Sequence, residues 1–298
     1  LSTRFKGEAR FDQIVSKAQK EGWAKLTMSD RMVKFAKELH GLPYTSFTLE
    51  IDDHIEAPSA NMDGLDCWTF FEITLGLSRM IAEPKASYEP EDLLKQIEFT
   101  RYRGGQCTGN YLERIHYLAE WFFENDARGV ADTITTDLGR TERINGRKCQ
   151  EMTVLWKHYR YLRENQSLLP TMAKLESQIS KLPVDYLPQS QIKAAESKMQ
   201  NGDIVGIVTK HNGGFCSHVG IVYTTNDGVK RLMHASSQKK YRRVVIDSSV
   251  SDYVATFSGH IGIIVARPNE VESTVTDENI YRSNLKKLTG LRLISMIP

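Results

Sequence analysis

Cysteine is scarce in this chain, and it is scattered. Cys67, Cys107, Cys149 and Cys216 are the four in 298 residues, and no two of them form a C-x-x-C pair. That spacing excludes a zinc ribbon and a thioredoxin-like dithiol, and four cysteines in this length do not make a disulfide scaffold. A single free, reactive cysteine fits better. Excess charge is missing too: a net +2 predicts neither nucleic-acid wrapping nor a strongly basic membrane-binding surface. No apolar run reaches the length needed to span a bilayer, so a soluble form is expected. No H-E-x-x-H spacing occurs among the eight histidines, which leaves a zinc hydrolase without a motif. Internal repeats and low-complexity tracts are also absent.

What is present describes an ordinary globular protein, 40% apolar and 26% charged, long enough for one large domain or two small ones. The chain opens on Leu1 rather than Met. A trimmed or mature form, its signal peptide removed, is the matching expectation.

The stretch Asp63-Gly64-Leu65-Asp66-Cys67-Trp68-Thr69-Phe70-Phe71-Glu72 is the centre of the sequence. Phe70, Ile73, Thr74 and Leu77 recur at helical spacing, and Asp63 and Asp66 are good N-caps, so a helix is predicted to start at or just before Cys67. A cysteine there meets unpaired backbone N–H groups and the positive end of the helix dipole, both of which favour a thiolate. The plainer reading, a small buried apolar residue, stands beside it.

Before that stretch, two amphipathic helices are expected, one with Phe11, Ile14, Val15 and Ala18 on its apolar stripe, the next with Met32, Phe35, Ala36 and Leu39. Gly41 and Pro43 stop the second, and an extended segment carrying Tyr44 follows. From Tyr88 to about Leu187 the pattern is mostly helical. Glu91 to Phe99, Tyr111 to Asn125 and Leu169 to Leu182 are the candidate helices, with Asp132 to Asp137 a short strand. The Tyr111 to Asn125 segment carries a polar-aromatic set, Arg114, His116, Tyr117 and Trp121, which composition alone reads as a solvated face plus core aromatics. Leu182-Pro183 through Pro188 reads as a linker. Beyond Gly202 come short runs rich in Val and Ile: Ile204 to Thr209, His218 to Thr224, Arg231 to Ala235, Val244 to Ile246 and Ile261 to Ala266. Asn226-Asp227-Gly228 is a hairpin signal between the second and third. Short connections predict a mainly antiparallel sheet, and helices first with sheet last predicts an α+β fold.

His218 and His234 both fall in this sheet, and pairing across the Asn-Asp-Gly turn brings them to one face. A cysteine hydrolase needs a nucleophile, a base that later acts as acid, and a group that fixes the base's tautomer. Cys67, His218 and His234 can fill those roles in that order. The backbone N–H of Cys67 could hold the oxyanion. Cys216, two residues before His218, is expected on the same strand face and is a rival nucleophile without a helix dipole.

At these residues the chain resembles a known family. Asp66-Cys67-Trp68-Thr69-Phe70 with Glu72, the Arg114-Ile115-His116-Tyr117 box, Ser217-His218-Val219-Gly220 and His234-Ala235-Ser236-Ser237 occur in one order. Together they resemble the N-acetylmuramoyl-L-alanine amidase-like family, a bacterial branch of the NlpC-type papain-like cysteine peptidases, from about Pro43 to Pro268. The resemblance implies a papain-like fold with a nucleophile helix on an antiparallel sheet. It divides the chain into N-terminal helices (1–42), a catalytic domain (43–268) with a helical insertion at about 80–190, and a C-terminal extension (269–298). It implies metal-independent and cofactor-free hydrolysis of the amide between the muramoyl lactyl group and L-alanine in peptidoglycan fragments. Cys67 would attack, His218 act as base and His234 orient it. Cysteine before both histidines is the unpermuted order, whereas lipid-acyltransferase relatives place the histidine first. A muropeptide offers a sugar face and carboxylates, so Tyr44, Arg114, His116 and Tyr117 become candidate substrate contacts. Asp66, Ser217 and Ser236 flank the catalytic residues and join them.

A stem-peptide endopeptidase of the same superfamily and a catalytically silent wall-binding module are the alternatives. The substrate points to the periplasm or the exterior, with cytoplasmic recycling as the alternative. Oligomeric state is not legible.

Overall fold

The structure is a computed structural model that describes residues 2–290. Helices dominate the first two thirds and strands the last third, so the fold is α+β. The strands are β1 (Phe5–Lys6), β2 (Ala60–Asn61), β3 (Ala131–Thr133), β4 (Glu142–Arg143), β5 (Asp185–Pro188), β6 (Ile204–Thr209), β7 (Cys216–Thr224), β8 (Lys230–Ser236), β9 (Arg243–Ser249) and β10 (His260–Pro268). Strands β4 to β10 form one sheet in the order β4-β5-β10-β6-β7-β8-β9, and β3 adds to β10. Its pairings are antiparallel. β1 and β2 make a separate parallel pair.

Among the described residues, six longer helices precede the sheet's central strands: α1 (Glu8–Lys20), α2 (Met28–Glu38), α3 (Cys67–Ala82), α4 (Pro90–Arg101), α5 (Leu118–Ala127) and the helix Leu169–Ile179. Every residue of α3 from Thr69 to Ile81 is buried. A helix apolar all round has to be enclosed, and α3 is: α2 and α4 flank it while β7 and β8 lie beneath. Gly76 permits the approach of α4, since a Cβ there would fall 2.8 Å from Leu93 Cδ1. Glu72, inside this apolar helix, is matched by Arg101 of α4 at 2.6 Å, with both side chains buried. Removing either partner would leave an unpaired buried charge, at a cost of about 3–5 kcal/mol.

The sheet is covered on both faces, so its central strands read as nearly continuous apolar runs. Ile204, Val208, Val219, Ile221 and Met233 join the core shared with α3. Val205, Ile207, Val222 and Leu232 form a second core under the helix Val250–Ala255, which contributes Val250, Tyr253 and Val254.

Three expectations change. Tyr111 to Asn125 is not one helix but a 3-10 turn at Tyr111–Glu113, an extended Arg114 (φ −64°, ψ 139°) and Tyr117 (φ −122°, ψ 130°), and then α5. Arg114 bridges to the backbone of Tyr102 and buries its guanidinium against Glu50 and Glu56, so tertiary partners override the helical period. The strand expected over Asp132 to Asp137 stops at Thr133 and becomes the short helix Thr135–Leu138. There Val265 N–H donates to Thr135 Oγ1 at 2.9 Å, so a side chain replaces the ladder. The expected linker ending at Pro188 contains β5, held between β4 and β10. Gly262 of β10 makes room for it, because a Cβ there would fall 2.1 Å from Leu187 O. After Pro268 the chain forms a helix, Glu278–Thr289, that packs Tyr281 and Leu285 against Ala127 of α5.

Candidate active site

Asp66 builds the start of α3. Its Oδ1 accepts the Thr69 N–H at 2.8 Å, while Thr69 Oγ1 accepts the Asp66 N–H at 3.0 Å, a reciprocal capping box worth about 1 kcal/mol. The other carboxylate oxygen accepts from Thr48 Oγ1 at 2.9 Å. Cys67 is therefore the first helical residue, as the sequence predicts, and it is only partly buried. The expectation of a stabilised thiolate is corrected. Burial, and then the neighbouring Asp66 carboxylate, push the thiol up to about 12, and the backbone N–H groups of Val219, Trp68 and Cys67 only partly offset them. The sulfur carries its proton at neutral pH.

The histidines are brought together by strand register. Ile221 pairs with Met233, which sets Gly220 opposite His234 and makes His218 its diagonal neighbour on the same face. His218 Nε2 and His234 Nδ1 are 2.7 Å apart. The sequence reading missed the next member, Asp247 of β9. His234 pairs with Val245, so Asp247, two residues on, shares its face, and Asp247 Oδ2 lies 3.2 Å from His234 Nε2. The hydrogen bond from His234 holds the Asp247 carboxyl below the usual carboxylate range. An ionised carboxylate only accepts, so His234 donates to it from Nε2. With a neutral His234 ring, Nδ1 then accepts from His218 Nε2, and the lone pair of His218 lies on Nδ1. Burial, and then the nearby His234 and His260, hold His218 well below its ordinary value of 6.5, with Asp247 pulling the other way. Tyr253 roofs the group, its ring 5.9 Å from that of His218 and 5.0 Å from that of His234.

Cys67, Trp68, His116, Tyr117, Tyr159 and His218 are among the residues lining one cleft of about 170 Å³. Ser217 is exposed at its rim. His116 hydrogen-bonds Tyr111 O at 3.1 Å, and Tyr117 donates its hydroxyl to Glu176 at 2.6 Å. Tyr44 stands beside Cys67 and Asp66; burial and these two neighbours push its phenol up to about 12. Three sequence-predicted residues turn inward instead. Asp66 is the helix cap, Arg114 is 2% exposed between its carboxylates, and the buried Ser236 accepts the Gln238 N–H at 3.3 Å. Cys216 does not share the face of His218. A bulge in β7 pairs Cys216 with Val208 but His218 with Ile207, and those partners belong to opposite faces. Its sulfur would lie 3.1 Å from a Cβ on Gly206, and burial pushes its thiol far up. Asp247 left one faint mark in the sequence, its place at the end of Val244 to Ile246; Tyr253 and Tyr159 left none.

Among the described residues, no group of three or more His, Cys, Asp or Glu is placed to hold a metal ion, and no helix is long and apolar enough to cross a membrane. A comparison with curated proteins gives no match. Among solved structures, an N-acetylmuramoyl-L-alanine amidase from Bacteroides uniformis is similar at 27% identity and a TM-score of 0.71, covering 82% of this chain and 99% of that one. A Bacteroides fragilis protein with the provisional name of a xylanase is similar at 28% identity and a TM-score of 0.68, covering 79% and 99%. A Legionella pneumophila protein at 20% identity and a TM-score of 0.66, covering 88% and 97%, shares the fold. Residues 34–271 match the family described as N-acetylmuramoyl-L-alanine amidase-like, and by that match over most of its length the chain belongs to this family.

Proposed function

We propose that this chain is a cysteine amidase that hydrolyses the amide between the muramoyl lactyl group and L-alanine in peptidoglycan fragments. Family membership and the Bacteroides uniformis neighbour named for that activity support a peptidoglycan hydrolase. The cysteine mechanism is supported by the row His218, His234, Asp247 beside a cleft that Cys67 and His218 both line, and above all by the 2.7 Å contact between the two imidazoles. A cysteine opening a helix, with its base on a neighbouring antiparallel sheet, also fits the NlpC-type papain-like plan, with 43–268 as the catalytic unit.

In this reading Cys67 Sγ attacks the lactyl carbonyl while His218 Nδ1 removes the thiol proton. The thiol is pushed up and the imidazole down, so the pair is neutral at rest and transfer accompanies attack. The imidazolium formed on His218 is stabilised through His234 by the Asp247 carboxylate. The tetrahedral oxyanion is held by the Cys67 N–H and a neighbouring donor. Collapse breaks the C–N bond as His218 returns its proton to the leaving L-alanine nitrogen. Water, deprotonated by His218, then releases the thioester as a free acid and restores the thiol. Tyr44, His116, Tyr117 and Ser217 are placed to contact substrate; Asp66, Arg114 and Ser236 support the site from within. Wall fragments as substrate fit action outside the cytoplasm, with cytoplasmic recycling of fragments as the alternative.

The test is product analysis on a defined muramoyl-peptide. Cys67→Ala abolishes release of free peptide while substrate binding survives; full activity in that variant overturns the proposal. A shortened stem with the sugar still attached would instead identify an endopeptidase.

A further inference from the structure

Tyr159 lines the Cys67 cleft, and its ring meets that of Phe47 edge-on at 6.1 Å. Phe47 borders a second depression of about 370 Å³, whose walls include Arg4, Lys6, Ser46, Thr48 and Arg160. Tyr159 lines the first hollow and Phe47 the second, so this ring contact links the two. Phe47 is unusual in two ways: it is 56% exposed, and its φ of +58° lies in the left-handed region that a bulky side chain rarely occupies. Such a conformation persists only where its surroundings impose it. Here they do. Thr48 is tied by its hydroxyl to Asp66, the cap of the Cys67 helix, and Arg114 donates to Leu49 O at 2.9 Å and to Glu50 at 3.2 Å. The loop that shapes the second hollow is thus fixed to the same carboxylate that seats Cys67.

We infer that this second hollow binds the anionic peptide portion of the substrate, the part bearing carboxylates beyond L-alanine. The inference rests on the amidase reading. Its lining carries three cations, and its one carboxylate, Glu50, is already met by Arg114 and by the Tyr161 N–H at 3.1 Å. Arg4 and Arg160 pair with Glu91 and Asp53, but all four side chains are partly open to solvent, 32–49% exposed, and pairs of that kind are weak enough to exchange for a ligand carboxylate. Lys6 makes no ion pair among the described residues, and it is exposed. The Cys67 cleft, by contrast, is lined by Trp68, Tyr117, Tyr159 and Phe215, surfaces suited to a sugar face. An enzyme cutting between sugar and peptide needs one region for each, and these two differ in the required sense.

The probe is free L-Ala-γ-D-Glu-diaminopimelate, titrated calorimetrically into Cys67→Ala protein, beside the same tripeptide with its carboxylates amidated. The expected result is about tenfold weaker binding of the anionic peptide when Lys6→Gln and Arg160→Gln are added, and about tenfold weaker binding of the amidated peptide without them. Phe47→Gly, which relieves the backbone while removing the ring, weakens binding too. Circular dichroism of each variant confirms folding. Equal binding of both peptides, or no response to the Lys6 and Arg160 changes, overturns the inference. Failure of the amidase reading shows separately, as absence of peptide release by the unsubstituted protein.

Discussion

Gly220 of β7 lies under His234 of β8, and the space it leaves is what His234 occupies. A Cβ built on Gly220 would stand 3.1 Å from His234 Cβ and 2.7 Å from Met233 O, the latter a backbone atom that cannot swing away. Gly220→Ala is therefore expected to move the imidazole off His218 as well as strain the strand pair. The expected outcome is a loss of about 1–3 kcal/mol in urea unfolding. It is accompanied by a fall in kcat larger than that of an equally destabilising core variant such as Ile221→Val. Activity that tracks stability alone would show that the glycine serves packing only.

Asp247 is the acceptor from which the tautomers of both histidines follow. Asp247→Asn keeps the shape but presents an amide that can donate to His234 Nε2, reversing the order of donors along the row. By comparison with serine-protease triads, where the equivalent change costs about 10⁴ in kcat, a fall of ~10²–10⁴ is expected with KM little changed. Asp247 also pulls His218 upward. Its neutralisation should thus shift the acid limb of the pH–rate profile to lower pH, a displacement that a packing defect would not produce.

Asp66 adds to burial in raising the Cys67 thiol, with its carboxylate the second cause. Unsubstituted protein should react with iodoacetamide at pH 7 more slowly than glutathione does. Asp66→Asn retains a good N-cap while removing the charge, so alkylation of Cys67 should accelerate several-fold. An unchanged rate, measured by mass spectrometry of the Cys67 peptide, would mean that burial alone governs the thiol.

The parts of the site legible in the sequence were those with local causes. Asp66 and the stripe Phe70, Ile73, Thr74, Leu77 announce a helix start, and the Asn-Asp-Gly turn announces the pairing that joins His218 to His234. What stayed hidden depends on contacts distant in sequence. Arg114 sits in an apparent helix, and only its burial against Glu50 and Glu56 shows why the chain is extended there. Cys216 is two residues from His218, and strand parity puts them on one face until the bulge reverses it. Asp247 is one acidic residue among many until β9 lies beside β8. Neither a bulge nor a strand neighbour is written in a local period, and those two features decide the rival thiol and the last acceptor.

Acidification gives a test with a definite sign. Burial first, then nearby cations or imidazoles, holds both His116 and His218 well below 6.5 in the folded protein. As the pH falls through about 6.5 the unfolded chain takes up protons at these positions while the folded chain does not, so protons favour unfolding. The stability in question is fully present above that pH and is lost progressively below it. Tm should thus fall between pH 7.5 and pH 5, by ~2–4 °C for each kcal/mol lost. His116→Gln, which no longer titrates, should flatten part of that slope, although loss of its bond to Tyr111 O lowers Tm at every pH. The acid limb of kcat/KM should lie below 6.5, since His218 keeps its lone pair to lower pH than a free imidazole. A Tm that rises on acidification, or an acid limb above 6.5, would show that these imidazoles are charged in the folded protein. Attack would then start from a thiolate–imidazolium pair rather than from the neutral pair.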